Sequence, residues 1–134
     1  GPADVAAPTG PVGRFVFDPD PAVVRSHLVA AFAERVDGRL RDPDIAYVYA
    51  DQPAHTPFGR CLEITDVLPF SLKRLRALLR ERGVGRLEIR KRGSALEPDK
   101  LRRDLKLSGP HAAGLILTRV AGAPTVLLTR HDGK

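Results

Sequence analysis

Two periodicities meet head to tail between Ser71 and Arg92, and together they dictate a layered α/β arrangement. In SLKRLRALLRERG (71–83), Leu72, Leu75, Leu78 and Leu79 recur at helical spacing. Ser71 stands where a side-chain oxygen can cap the first turn, and Gly83 can take the left-handed conformation that stops the last. RLEIRKR (86–92) then switches to period two: Leu87 and Ile89 face one way, Arg86, Glu88, Arg90 and Arg92 the other. A helix with one apolar stripe must bury it, and a half-apolar strand next to it supplies a surface.

The flanking segments extend the alternation. Arg60–Leu68 (RCLEITDVL) reads as a strand with both faces partly covered. Pro98 opens a short helix to about Leu107, with Leu96 and Leu101 spaced as a hydrophobic staple and Gly109 as its expected stop. Leu115–Thr118 and Val126–Thr129 flank Ala121-Gly122-Ala123-Pro124, which predicts a hairpin. The order over 60–130 is therefore β-α-β-α-β-β. Crossovers of this length favour parallel, right-handed connections with both helices on one face of a mixed sheet, a two-layer α/β (α+β) sandwich.

Residues 14–59 read as a β-α-β arm preceding that unit. Phe15-Val16-Phe17 is a short strand; Asp20 and Pro21 open a helix carrying Val24, Leu28, Ala31 and Phe32 on one face and ending near Gly38. Ile45–Tyr49 is a second strand, in which Tyr47 and Tyr49 are expected to be half-buried. Residues 1–13 lack periodicity, and Gly1-Pro2 reads as the scar of tag removal, so the expected organisation is linker (1–13), arm (14–59) and α/β domain (60–134), excised from a longer protein.

Charge divides the chain. Of its formal +6, residues 1–66 carry 6 basic and 10 acidic side chains, whereas 67–134 carry 16 and 6. Arg outnumbers Lys 17 to 5, which coding bias can produce, but such bias does not confine the acids to the first half. A split of this kind points to a polyanionic partner. Lys73, Arg76 and Arg80 make one stripe on the 71–83 helix; Arg86, Arg90 and Arg92 face outward on the strand, with Lys91 near its edge; Lys100, Arg102, Arg103 and Lys106 belong to the second helix. Such groups neutralise phosphates and release counterions. The competing reading is a solvated face with internal ion pairs, for example through Glu81 and Asp104. All seven aromatics lie outside 71–106, so a nucleic acid held there would be read by backbone and shape, not by stacked bases.

Other chemistries find little purchase. The four histidines are scattered, the two Asp-Pro-Asp segments suit caps and turns, and Cys61 sits in a strand without a base partner. One cysteine forms no internal disulfide, which suits a reducing cytoplasm, and no apolar run is long enough to span a bilayer. Gly83-Val84-Gly85 follows a helix and precedes a strand, the wrong order for a nucleotide-binding turn, and reads as a helix stop and turn.

FVFDPDPAVVRSHL (15–28), IAYVYAD (45–51), TPFGRCLEI (56–64), SLKRLRALLRERGVGRLEIRKRG (71–93) and LRRDLKLSG (101–109) together resemble the C-terminal THUMP-like domain of a bacterial, actinobacterial-type class I S-adenosylmethionine-dependent methyltransferase family. The most specific elements are the basic strand and the KLSG segment (106–109) after the short helix. The resemblance implies a non-catalytic accessory module that binds structured RNA (tRNA or rRNA) and delivers it to a methyltransferase domain N-terminal to it; the fragment is expected to be a monomer. S-adenosylmethionine is then the cofactor of the parent protein, and none is expected in these residues. The alternative is a structural domain that packs on the methyltransferase core and shapes its substrate opening without touching RNA.

Overall fold

The structure, a computed structural model, describes residues 6–131. The chain forms two compact units that join between Ile64 and Thr65. The first five positions of the expected 1–13 linker lie outside the described residues.

The first unit runs β1 (Phe15–Pro19), α1 (Pro21–Arg25), α2 (Val29–Arg35), β2 (Arg39–Leu40), β3 (Val48–Ala50) and the start of β4 (Gly59–Pro69). Its strands lie in the order β2-β3-β1-β4, every neighbouring pair antiparallel. Phe17, Phe32, Ala33, Val36, Leu40, Val48 and Ala50 form its core, with the Phe17 and Phe32 rings edge-on at 6.0 Å.

The arm departs from its sequence reading in four ways. The single expected helix is two, because His27 adopts a left-handed φ of 56° and breaks the ladder. Of its expected apolar face only Phe32 is buried; Leu28 and Ala31 are exposed. Asp20 caps α1 through its backbone carbonyl, which accepts from Val23 N and Val24 N, and its side chain makes no cap bond. Tyr47 and Tyr49 are fully buried, not half-buried, and burial lifts the Tyr49 phenol to about 12. Part of the expected linker is also pinned: Gly10 N donates to Leu40 O and Leu40 N to Pro8 O.

The second unit contains the remainder of β4, then α3 (Leu72–Glu81), β5 (Val84–Lys91), α4 (Pro98–Leu105), β6 (His111–Val120) and β7 (Ala123–Arg130), the predicted β-α-β-α-β-β order. Strands lie in the order β4-β7-β6-β5. β5 and β6, joined through α4, are parallel; β6 and β7 are antiparallel, so the sheet is mixed. The hairpin turn is Ala121-Gly122, both with positive φ, the geometry that matches strand twist.

Leu75 and Leu79 of α3, Leu101 and Leu105 of α4, and Leu87, Leu115, Leu117, Val126 and Leu128 of the strands share one core. Because side chains alternate along a strand, these strand residues occupy one face, and both helices cover it. Burying each leucine is worth about 1.5–3 kcal/mol. Ser71 Oγ accepts from Arg74 N at 3.2 Å, as its capping position predicts. At α4 the start is held by Glu97, whose carboxylate accepts from Asp99 N and Lys100 N. Its stop is Lys106, left-handed at φ 51°, three residues before the expected Gly109.

Candidate nucleic-acid interface

The basic residues of the second unit separate into tethers and unpaired cations. Arg76, halfway along α3, sends Nη2 to the backbone carbonyl of Asp104, near the end of α4. Arg102 sends Nη1 to the Leu87 carbonyl on β5 at 2.6 Å. Two arginines of the predicted binding set therefore fasten α4 to its neighbours. Arg90 pairs with Glu88 at 2.8 Å, and Lys91 Nζ donates to the Leu96 carbonyl. Arg82, outside that set, holds Asp66 of β4 at 2.8 Å. Arg92 donates its backbone N–H to the Leu117 carbonyl, extending the β5–β6 contact past the strand end.

Among the described residues, Lys73, Arg80, Arg86 and Lys106 have exposed side chains with no hydrogen bond or ion pair. Arg103 is exposed beside Glu97 and Asp104, whose charges it helps to stabilise. Backbone N–H groups of Lys100 and Asp99 hold the Glu97 carboxyl below its usual range; the Lys100 ammonium does the same for Asp104, at 2.8 Å. The local acids thus remain ionised and occupied, as the ion-pair reading of this face anticipates for Asp104.

The strand and helix cations lie on different faces. Leu87 and Ile89 point into the core beneath the helices, so Arg86, Glu88 and Arg90 point away from it. Lys73, Arg76, Arg80, Arg103 and Lys106 belong to the helical layer. Both helices cover one sheet face, as the crossover lengths predict, and that common face is what sets the outward strand cations apart from the helical layer.

The ends of α3 and α4 enclose a small cleft of about 10 Å³, lined by Arg76, Leu79, Arg80, Val84, Leu105, Lys106, Leu107 and Ser108. Arg76 Nε itself is buried and closed to solvent without a hydrogen-bond partner. Leaving such a donor unmatched costs about 1–3 kcal/mol. Ser108 was not among the sequence candidates. The only signal for it was its place in KLSG, which gave no role to the hydroxyl.

The glycines at the start of β5, Gly83 just before it and Gly85 within it, leave no space for a ligand. A Cβ at Gly85 would fall on the Gly109 carbonyl, and Gly83, at φ 66°, ends α3 beside His111. Gly83 is the predicted helix stop. Gly85 is not a turn residue but sits where the β5–β6 register skips between Val84 and Arg86. The turn is filled by its own chain and does not fit an adenosine cofactor. Among the described residues there is no group of three or more His, Cys, Asp or Glu able to hold a metal, and no helix long and apolar enough to cross a membrane.

The family model for THUMP domain-like proteins matches residues 59–131. Two proteins of Mycobacterium tuberculosis, the uncharacterized S-adenosylmethionine-dependent methyltransferases MT3122 (strain CDC 1551 / Oshkosh) and Rv3037c (strain ATCC 25618 / H37Rv), are each 39% identical over 110 residues. The match covers 82% of this chain but only 30% of each relative. The crystal structure of a protein provisionally assigned as a methyltransferase, from Porphyromonas gingivalis W83, aligns with a TM-score of 0.79 at 23% identity. That alignment covers 98% of this chain and 33% of the other, and shows a shared fold.

Proposed function

Because the chain belongs to the THUMP domain-like family, we propose that it is the non-catalytic accessory domain of a cytoplasmic S-adenosylmethionine-dependent RNA methyltransferase, and that it holds structured RNA through its helical layer. The observation that carries this reading is the set of unpaired cations, Lys73, Arg80 and Lys106, on the two helices covering one sheet face. They are exposed, and Asp104, the acid nearest Lys106 in sequence, is paired with Lys100. Phosphate neutralisation by such groups gives affinity without base identity. Arg86, Arg90 and Lys91 contribute less directly: Arg86 and Arg90 face the other way, and Lys91 holds the Leu96 carbonyl. Methyl transfer and the cofactor belong to the remainder of the parent protein.

A salt series of gel shifts with bulk tRNA and rRNA tests the reading. Binding is expected at low salt and is expected to fall steeply as salt rises. The combined K73Q/R80Q/K106Q variant removes three charges and no described hydrogen bond or ion pair, so it is expected to keep its fold and lose most of its affinity. No binding at low salt, or full binding by that variant, would sink the proposal.

One observation favours the structural alternative. In the first unit, Leu28 and Phe58 are 42% and 45% exposed and line an apolar cleft of about 200 Å³ with Val23, Ala31, Phe32 and Arg35. An uncovered apolar surface of this kind suits packing on another protein surface. The same gel shift separates the two roles.

A further inference from the structure

Leu28 and Phe58, the exposed large apolar side chains of the first unit, line the same cleft, and backbone geometry fixes both of them there. His27 N donates to the Val24 carbonyl and Leu28 N to the Val23 carbonyl, the paired bonds of a Schellman stop. His27 takes the left-handed φ of 56° that such a stop requires, a conformation its β-carbon makes unfavourable. The chain thus accepts a strained residue and, in return, leaves Leu28 on the cleft wall with Val23 and not in the core. Phe58 is anchored on both sides. Its carbonyl accepts from Asp20 N at 2.8 Å, and its N–H donates to the hydroxyl of buried Thr56 at 3.1 Å. An aromatic ring is therefore exposed on a fixed backbone and not on a loose loop.

The cleft has the size and chemistry to take one side chain. At about 200 Å³ it exceeds the ~150 Å³ that holds a benzene ring in an apolar cavity. Phe32, nearly closed to solvent, belongs to its lining, and Arg35 is its one polar side chain. The Arg35 guanidinium lies 5.1 Å from the centroid of the Phe58 ring and has no hydrogen bond or ion pair among the described residues. A carboxylate arriving beside an apolar group would meet it. Nucleic acid is a poor occupant, because residues 1–66 carry 10 acidic and 6 basic side chains and the lining offers little for a base to hydrogen-bond.

Chain length identifies the occupant. The matched stretch is 30% of each Mycobacterium tuberculosis relative and 33% of the Porphyromonas gingivalis chain, whose alignment takes in the first unit as well as the second. A domain that presents RNA to a catalytic domain has to be fixed against it, and an apolar anchor seated in a preformed pocket is the usual means. We infer that the cleft seats one aromatic or leucine-like side chain projecting from the methyltransferase portion of the parent protein, with a carboxylate beside it that pairs with Arg35. The inference rests on the accessory-domain reading but not on RNA binding, which is assigned to the second unit.

Hydroxyl-radical footprinting read by mass spectrometry tests it, on the 134-residue chain and on the whole parent protein, both free of RNA. Leu28 and Phe58 are expected to oxidise readily in the 134-residue chain and several-fold more slowly in the parent. Val67, 48% exposed on the second unit, is the reference. Equal rates in the two proteins overturn the inference, as does equal protection of Val67. Protection that appears in the 134-residue chain as its concentration rises assigns the cleft to a second copy and overturns it too. L28S and R35E are each expected to raise Phe58 oxidation in the parent toward that of the 134-residue chain, and to leave the latter unchanged. A parent footprint untouched by L28S overturns the apolar seat, and one untouched by R35E overturns the carboxylate. Gel shifts with the 134-residue chain separate the two proposals. Loss of RNA binding by folded L28S hands the cleft to RNA and overturns the inference. Absence of RNA binding by wild type, with the parent's protection in place, sinks the RNA proposal and leaves this one standing.

Discussion

A side chain at Gly85 would fall on the carbonyl oxygen of Gly109, so these two residues bring the start of β5 and the approach to β6 into backbone contact. The contact is reinforced by His111 N donating to the Gly83 carbonyl at 2.9 Å. Gly109 itself has φ 137° and, if given a Cβ, would strike that same carbonyl. Gly85→Ala is therefore expected to destabilise the protein by about 3 kcal/mol or more, the upper end of overpacking costs. Gly122 in the hairpin provides the contrast. Its Cβ would meet nothing within 4 Å, and only its φ of 79° opposes a side chain. Gly122→Ala is expected to cost about 1 kcal/mol. Urea denaturation of both variants checks the difference, and equal costs would mean that the Gly85–Gly109 approach is looser than described.

The tethering arginines and the unpaired cations should respond differently to substitution. Arg102→Gln removes the charge-assisted bond to the Leu87 carbonyl, and a stability loss of about 1 kcal/mol is expected, at the low end because the side chain is partly solvated. Arg80→Gln removes no described bond and is expected to change stability by less than about 0.5 kcal/mol while weakening RNA binding. Thermal melts paired with RNA titrations at one salt concentration measure both quantities. Equal melting of the two variants would remove the distinction between tether and ligand-facing charge.

How much of this could be read from the chain depends on which physical signal each feature leaves. The elements from residue 60 onward are legible because the leucines of α3 and the alternation of β5 reflect burial on one side only. Ser71 and Gly83 mark α3 because caps and stops need those residue types. The break at His27 leaves no such mark: apolar spacing runs straight through Arg25-Ser26-His27-Leu28, and a non-glycine residue takes the positive φ. Lys106 hides the end of α4 in the same way. The burial of Tyr47 and Tyr49 depends on neighbours distant in sequence. The candidate interface is legible as composition but not as a surface, because Arg76 and Arg102 acquire their carbonyl partners only when α3, α4 and β5 come together.

The cap of α4 gives the protein an acid-sensitive element. Glu97 accepts from Lys100 N at 2.7 Å and Asp99 N at 3.2 Å, and these bonds hold its carboxyl below the unfolded value of 4.5. A carboxyl depressed on folding contributes stability above its unfolded pKa, and that contribution is lost as pH falls through the folded pKa. Glu97→Gln keeps an acceptor oxygen but not the charge. It is expected to be less stable than wild type near pH 7, with the gap closing below about pH 4. Denaturant midpoints across pH 3–7 give the comparison, and a gap independent of pH would show that the charge contributes nothing to the cap.

Cys61 tests the opposite sign. Burial pushes its thiol above the ordinary cysteine value, and the Ala54 backbone hydrogen bond offsets this only in part. It is a free cysteine packed partly against the core of the first unit. An acid whose pKa rises on folding contributes stability that is fully present below the unfolded pKa and is lost as pH rises through the folded one. The folded protein should therefore hold Cys61 as the neutral thiol at pH 8 and alkylate more slowly with iodoacetamide than an unstructured thiol, whose pKa is about 8.5. The rate should climb with a midpoint above that of the unstructured thiol, and denaturant should move that midpoint down toward the unstructured value. A folded-state midpoint below that of the denatured chain would mean that Cys61 is activated by a neighbour, contrary to its placement beside Ala54 in an apolar cluster.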